Sequence, residues 1–180
     1  MGLDMYLNRS TYVQNWKHMK PEERHSVIVK FNGKDHPYID LDKITYIEEE
    51  VVYWRKANAI HKWFVDNVQD GTDDCRRAYV DIDDLKKLYY LCIQMQEYYA
   101  EHGDEGLAEY ASECLPTEEG FFFGNTDYED AEEGVNYYMD TINYTVKKLK
   151  PLLDLHDKII KARDKGERIP FPDYEYRSSW

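Results

Sequence analysis

Apolar and polar positions alternate at the start of the chain. Leu3, Met5 and Leu7 are separated by Asp4, Tyr6 and Asn8, the period-two signature of a strand with one buried face. Met19 to Glu23, interrupted by Pro21, reads as a connector or a single turn. Val27 to Phe31 followed by Asn32-Gly33 predicts a hairpin, because Asn-Gly accepts the positive φ angles of a two-residue turn. That turn sets Phe31 opposite Lys34 and Val29 opposite His36, while Pro37 makes the returning arm an edge or a short one.

From about Ile47 to Val68 the spacing changes to steps of four and three. Ile47, Val51, Trp54, Asn58, His61, Val65 and Val68 predict one long helix at the centre of the core. The polar run Gln69 to Asp74 ends it, and Ala78 to Val80 predicts a short strand. Asp81 is placed to cap a helix from about Ile82 to Ala100, striped by Leu85, Leu88, Cys92, Met95 and Tyr99. A short helix over 105–114 is closed by Pro116, and Phe121 to Phe123, between Gly120 and Gly124, form a buried strand or a packed loop. Thr126 with Glu129 three residues on resembles a capping box. It opens a helix that Pro151 kinks or restarts and that stops near Gly166, before an extended aromatic tail. Strands at both ends with helices between predict a single α+β domain over residues 1–180. Its small antiparallel sheet, built from the N-terminal strand, the Asn-Gly hairpin and possible tail pairing, packs against about four helices.

Composition adds little to this until charge is followed along the chain. Formal net charge is -13, yet no lysine or arginine occurs between Lys87 and Lys147. That interval holds 14 of the 36 acidic residues, so the other 22 are balanced by the 23 lysines and arginines elsewhere. Such a field repels nucleic acid and attracts basic surfaces. It carries the expectation of a partner-binding surface at Glu97, Glu101, Glu118, Glu119, Asp127, Glu129, Asp130, Glu132 and Glu133, or else of a solvated face. Tyrosines at 89, 90, 98, 99, 110, 128 and 137 lie among these carboxylates and add contact area suited to an interface. No run approaches the roughly 18 apolar residues of a membrane span, and the first residues lack a basic region followed by an apolar one. Three widely spaced cysteines suit reduced thiols. A cytoplasmic chain is expected.

Candidate chemistry gathers on the central helix. Glu50, Trp54, Asn58 and His61 fall within its apolar face, where polar groups need partners. Those partners belong either to a core network or to a ligand in a pocket built on Trp54, Arg55, Asn58 and His61. A Cys75–His61 pair is conceivable, but neither residue sits in a nucleophile signature. The six histidines show no i, i+4 pair, and no phosphate-cradling glycine loop occurs, so neither metal nor cofactor is expected.

Several segments, in order, resemble a family of small uncharacterised bacteriophage and prophage proteins. They are Met1 to Leu7, Tyr53 to Phe64, Leu115-Pro116-Thr117 with Gly120 to Gly124, and Ser178-Ser179-Trp180. The resemblance supplies no catalytic residues. It implies a phage-infected or lysogenic bacterial host and an accessory protein that binds a basic host protein, such as a defence nuclease, in the manner of anti-CRISPR or anti-restriction inhibitors.

Overall fold

A computed structural model describes residues 2–128 and 135–180. The alternation at the N-terminus becomes β1 (Asp4–Tyr12), with Met5 and Leu7 buried and Asp4 and Tyr6 turned outward. The hairpin at Asn32-Gly33 forms β2 (Lys30–Phe31) and β3 (Lys34–Asp35), with Phe31 opposite Lys34 and the His36 amide donating to Val29 O at 3.1 Å. It stands apart as its own two-stranded sheet, which corrects the expectation that it joins the main one.

The segment read as one long helix is divided. β4 (Tyr46–Arg55) precedes α1 (Asn58–Val68). The four-and-three spacing of Ile47, Val51 and Trp54 coincides with a strand pattern in which Val52 and Trp54 are buried and Tyr53 and Arg55 exposed. Pairing with the apolar face of β1 decides between the two readings, Met5 lying opposite Trp54 and Leu7 opposite Val52. A bulge at Val51, where the register steps from Leu7–Val52 to Asn8–Glu50, lets a helical spacing survive inside a strand.

Then come β5 (Ala78–Val80), α2 (Ile82–Cys114), α3 (Tyr137–Asp164) and β6 (Asp173–Ser179). Asp81 caps α2 as expected, its Oδ1 accepting from the Asp83 amide at 2.8 Å. The short helix expected at 105–114 is the second half of α2, beyond a kink where Gly103 takes a φ of 67°. Thr126 opens no helix. Its carbonyl accepts from Thr117 Oγ1, Glu129 lies outside the described residues, and α3 starts later under an Asn136 cap, with Oδ1 accepting from the Met139 amide at 2.9 Å. α3 then continues through Pro151.

The main sheet runs β4-β1-β6-β5, antiparallel throughout, so the aromatic tail is the strand beside β1. Among the described residues there are three α-helices rather than about four. Met5, Leu7, Trp54, Tyr174 and Tyr176 of the sheet, with Leu3 just before β1, meet Ile60, Phe64, Leu88, Met95, Ile142 and Leu149 of the helices in one core. α2 and α3 pack along each other.

β1 and β4 also extend beyond the core as a ribbon ending at the Tyr12–Tyr46 pair. Residues 14–50 contain no buried position, and Trp16, Ile28, Phe31 and Tyr38 stand exposed, Tyr38 at 91%. No helix among the described residues is long and apolar enough to cross a membrane.

Candidate functional site

β4 lies at the edge of the sheet, and among the described residues no strand is paired on its outer side. α3 covers that edge. Tyr144 Oη donates to Tyr53 O at 2.8 Å, and the buried Trp54 Nε1 donates to Thr145 Oγ1 at 2.9 Å. At the end of β4 the chain must turn sharply into α1, and Lys56 takes this up with a left-handed φ of 55°. Its amide donates to Leu3 O at 2.8 Å, anchoring the turn to the start of the chain.

The loop Gly120–Asn125 closes over this corner. Leu3 N donates to Phe122 O at 2.9 Å, and the buried Asn58 side chain donates to Asn125 O at 2.7 Å and Phe123 O at 3.3 Å. Asn58 therefore holds the loop against the first turn of α1. Phe123 is buried beneath, while Phe121 is 96% exposed.

Between the β4–α1 corner, this loop and the start of α3 lies a cleft of about 810 Å³. Arg55, Lys56, Asn58, Asn125, Asp127 and Asp140 bring polar groups to it, and Tyr137, Thr141 and Tyr144 line it from α3 at helical spacing. Arg55 and Lys56 are exposed and make no ion pair among the described residues, nor do Asp127 and Asp140. Opposite charges thus share one cavity without neutralising each other. Asp140 also sits in the first turn of α3, where a carboxylate favours the helix dipole. The Asp127 amide donates to Asn125 Oδ1, shaping the loop.

Of the four residues expected at a pocket, Trp54, Arg55 and Asn58 line the cleft. His61 does not. It is fully buried behind them, with Nε2 3.0 Å from Asp73 Oδ2, Nδ1 2.7 Å from Tyr176 Oη, and the Phe123 ring against its face. An acceptor carboxylate at Nε2 assigns the proton there, so Nδ1 accepts from the tyrosine hydroxyl. Burial, together with Asp73 nearby, raises the Tyr176 phenol well above its ordinary value, which keeps that donor protonated. Trp180 Nε1 reaches the other Asp73 oxygen at 3.2 Å, so the network fastens the C-terminal strand to α1. Glu50, placed beside these residues on the expected helix, is exposed on β4.

The acidic residues are dispersed. Glu97 and Glu101 are exposed on α2, Glu119 is exposed in the following loop, and Glu118 is half-buried there. Asp127 belongs to the cleft, while Glu129, Asp130, Glu132 and Glu133 lie outside the described residues. All three cysteines are free thiols, and burial raises that of Cys92. No cluster of three metal-ligating side chains occurs among the described residues.

Sequence reasoning missed Lys56, Asn125, Asp140 and Thr141 as cleft residues. Lys56 had a signal in Arg55-Lys56, two adjacent cations at an element boundary, and Asn125 had one in the turn-forming Gly124-Asn125 pair. Asp140 and Thr141 had none, since they reach the cleft only through the packing of α3 on β4. Compared with family models, curated proteins and solved structures, the chain finds no match.

Proposed function

We propose that this chain is a small-molecule binding protein whose ligand occupies the cleft between β4, α1 and α3. The observation that carries this reading is the cleft itself. Its volume of about 810 Å³ falls in the range of roughly 300–1,000 Å³ typical of ligand sites, and tyrosine surface within it is joined by a few converging polar groups. Binding rather than catalysis is favoured by the commitment of His61, whose two ring nitrogens are both engaged inside the core, away from any molecule in the cleft. The ligand is an organic molecule of nucleotide size with a flat ring to lie against Tyr137 and Tyr144. Sequestration of such a molecule is the corresponding activity.

A thermal-shift panel of nucleosides, nucleotides and other ring compounds tests this. At least one member raises the melting temperature, and Thr141→Trp, which places an indole in the cleft, removes that rise while the free protein stays folded. A flat response across the panel counts against the reading.

One observation favours a second reading. Glu97, Glu101, Glu105, Glu109 and Glu113 follow at intervals of four along α2, all exposed, and none forms an ion pair among the described residues. In this reading the chain is a phage accessory protein whose exposed carboxylates, on both sides of the Gly103 kink, cover a basic surface of a host defence protein. Its binding to a purified DNA-binding nuclease weakens as salt rises, and reversing four of these glutamates to lysine abolishes it. Undiminished binding by the reversed variant sinks the idea.

A further inference from the structure

The two cations of the cleft differ in how they are held. Arg55 ends an edge strand, whereas the Lys56 stem passes beside Gly124 and Gly2. A Cβ on Gly124 would lie 3.0 Å from Lys56 Cβ and 3.2 Å from Cδ, and one on Gly2 would lie 3.5 Å from Cε. Gly124 adopts a φ of 91°, so that position demands glycine both for its backbone and for the room it leaves the lysine. Lys56 adopts a left-handed conformation that a lysine rarely takes. The fold thus roots an exposed lysine at a strained backbone position, with its stem beside Gly124 and Gly2, and places no carboxylate within ion-pair distance of its ammonium among the described residues.

We infer that the ligand of this cleft carries one compact anionic group, a phosphate monoester or a carboxylate, seated on Lys56 with Arg55 beside it. This rests on the reading of the cleft as a ligand site. Asp127 and Asp140 in the same cavity bound the charge that the ligand can carry. An extended polyphosphate would bring its further charges toward these carboxylates, so a single anionic head is accepted and a chain of them is rejected. Lys56 sets this specificity. Asn58 acts through the loop it holds and is a positioning residue.

Matched pairs that differ only in the anionic group provide the test: AMP and adenosine, UMP and uridine, phenyl phosphate and phenol, benzoate and benzyl alcohol, with ATP as the polyanion. Binding is measured by calorimetry at low and moderate salt. The informative variant is Lys56→Gly, because glycine accepts the positive φ, so the ammonium is removed while the turn is kept and the melting temperature holds or rises. The anionic member of at least one pair is expected to bind about tenfold to a hundredfold more tightly than its neutral partner. Lys56→Gly should erase that difference, the anionic member falling to the affinity of its neutral partner in the same variant, and ATP should bind more weakly than AMP. The phosphate and carboxylate pairs show which head group is preferred. Equal affinity within every pair, or an unchanged difference in Lys56→Gly, overturns the inference while leaving the cleft a ligand site. Absence of binding by every compound overturns both.

Discussion

His61 Nδ1 lies 2.7 Å from the hydroxyl of Tyr176, 115 residues away along the chain, and both side chains are fully buried. Because Nε2 is already engaged by Asp73, the tyrosine hydroxyl is the donor that Nδ1 depends on. Tyr176→Phe keeps the ring, which stacks on Phe64 with centroids 4.0 Å apart, and removes only the hydroxyl. The expected loss is about 1–3 kcal/mol, the cost of an unsatisfied buried acceptor, read from the urea midpoint. Ligand binding in the cleft should be unchanged, which separates this network from the site.

Stability should fall at alkaline pH. Burial raises the phenols of Tyr138 and Tyr176 and the thiol of Cys92, from ordinary values of 10.0 for tyrosine and 9.0 for cysteine. Groups whose folded values lie above their unfolded ones contribute stability in full below the unfolded values and lose it as pH rises beyond them. The urea midpoint is therefore insensitive to these groups up to about pH 9 and declines above it. Phenolate absorbance should show the most buried tyrosines titrating only as the fold is lost. A midpoint that climbs between pH 9 and 11 contradicts this assignment.

The projecting segment can be removed. Tyr12 and Tyr46 are paired, and the Val13 amide donates to Thr45 O at 2.9 Å, so the two strands already stand at hairpin distance. Replacing residues 14–44 with Asn-Gly closes them by a two-residue turn. With no buried residue lost, the shortened chain should melt at the same temperature or higher, helped by about 2 kcal/mol of loop-closure entropy. Circular dichroism and a melting curve check this, and an unfolded product would show that the segment supports the core.

Thr145→Val tests the attachment of α3 to the sheet. Thr145 Oγ1 accepts from Trp54 Nε1 and donates to Thr141 O at 2.8 Å. Valine fills the same space but strands the indole N–H, for an expected loss of about 1–3 kcal/mol in denaturant unfolding. Since Thr141 and Tyr144 line the cleft from the same helix, this variant should also weaken ligand binding modestly.

Local signals were legible in the chain, and distant ones were not. The Asn32-Gly33 turn, the Asp81 cap and the alternation of Leu3, Met5 and Leu7 depend on neighbouring residues, and each appears where its pattern placed it. β4 was misread because its identity depends on Met5 and Leu7, more than forty residues away, and because the bulge at Val51 imitates a helical step. The same limit applies to the cleft. Trp54, Arg55 and Asn58 follow one another closely and stood out together, whereas Asp140, Thr141 and Tyr144 reach them only through tertiary packing. His61 was legible as a buried polar group needing partners. That those partners are Asp73 and Tyr176, rather than a ligand, was fixed by the loop after α1 and by the pairing of β6 with β1.

The most direct test of the account is an amide chemical-shift titration of the 15N-labelled protein with whichever anionic ring compound stabilises it most. Shifts concentrated at Arg55–Ala59, Gly124–Asp127 and Asp140–Tyr144, saturating together and absent in Thr141→Trp, are the predicted result. Shifts clustered instead on the projecting segment or along the exposed glutamates of α2, or no shift with any such compound, would contradict it.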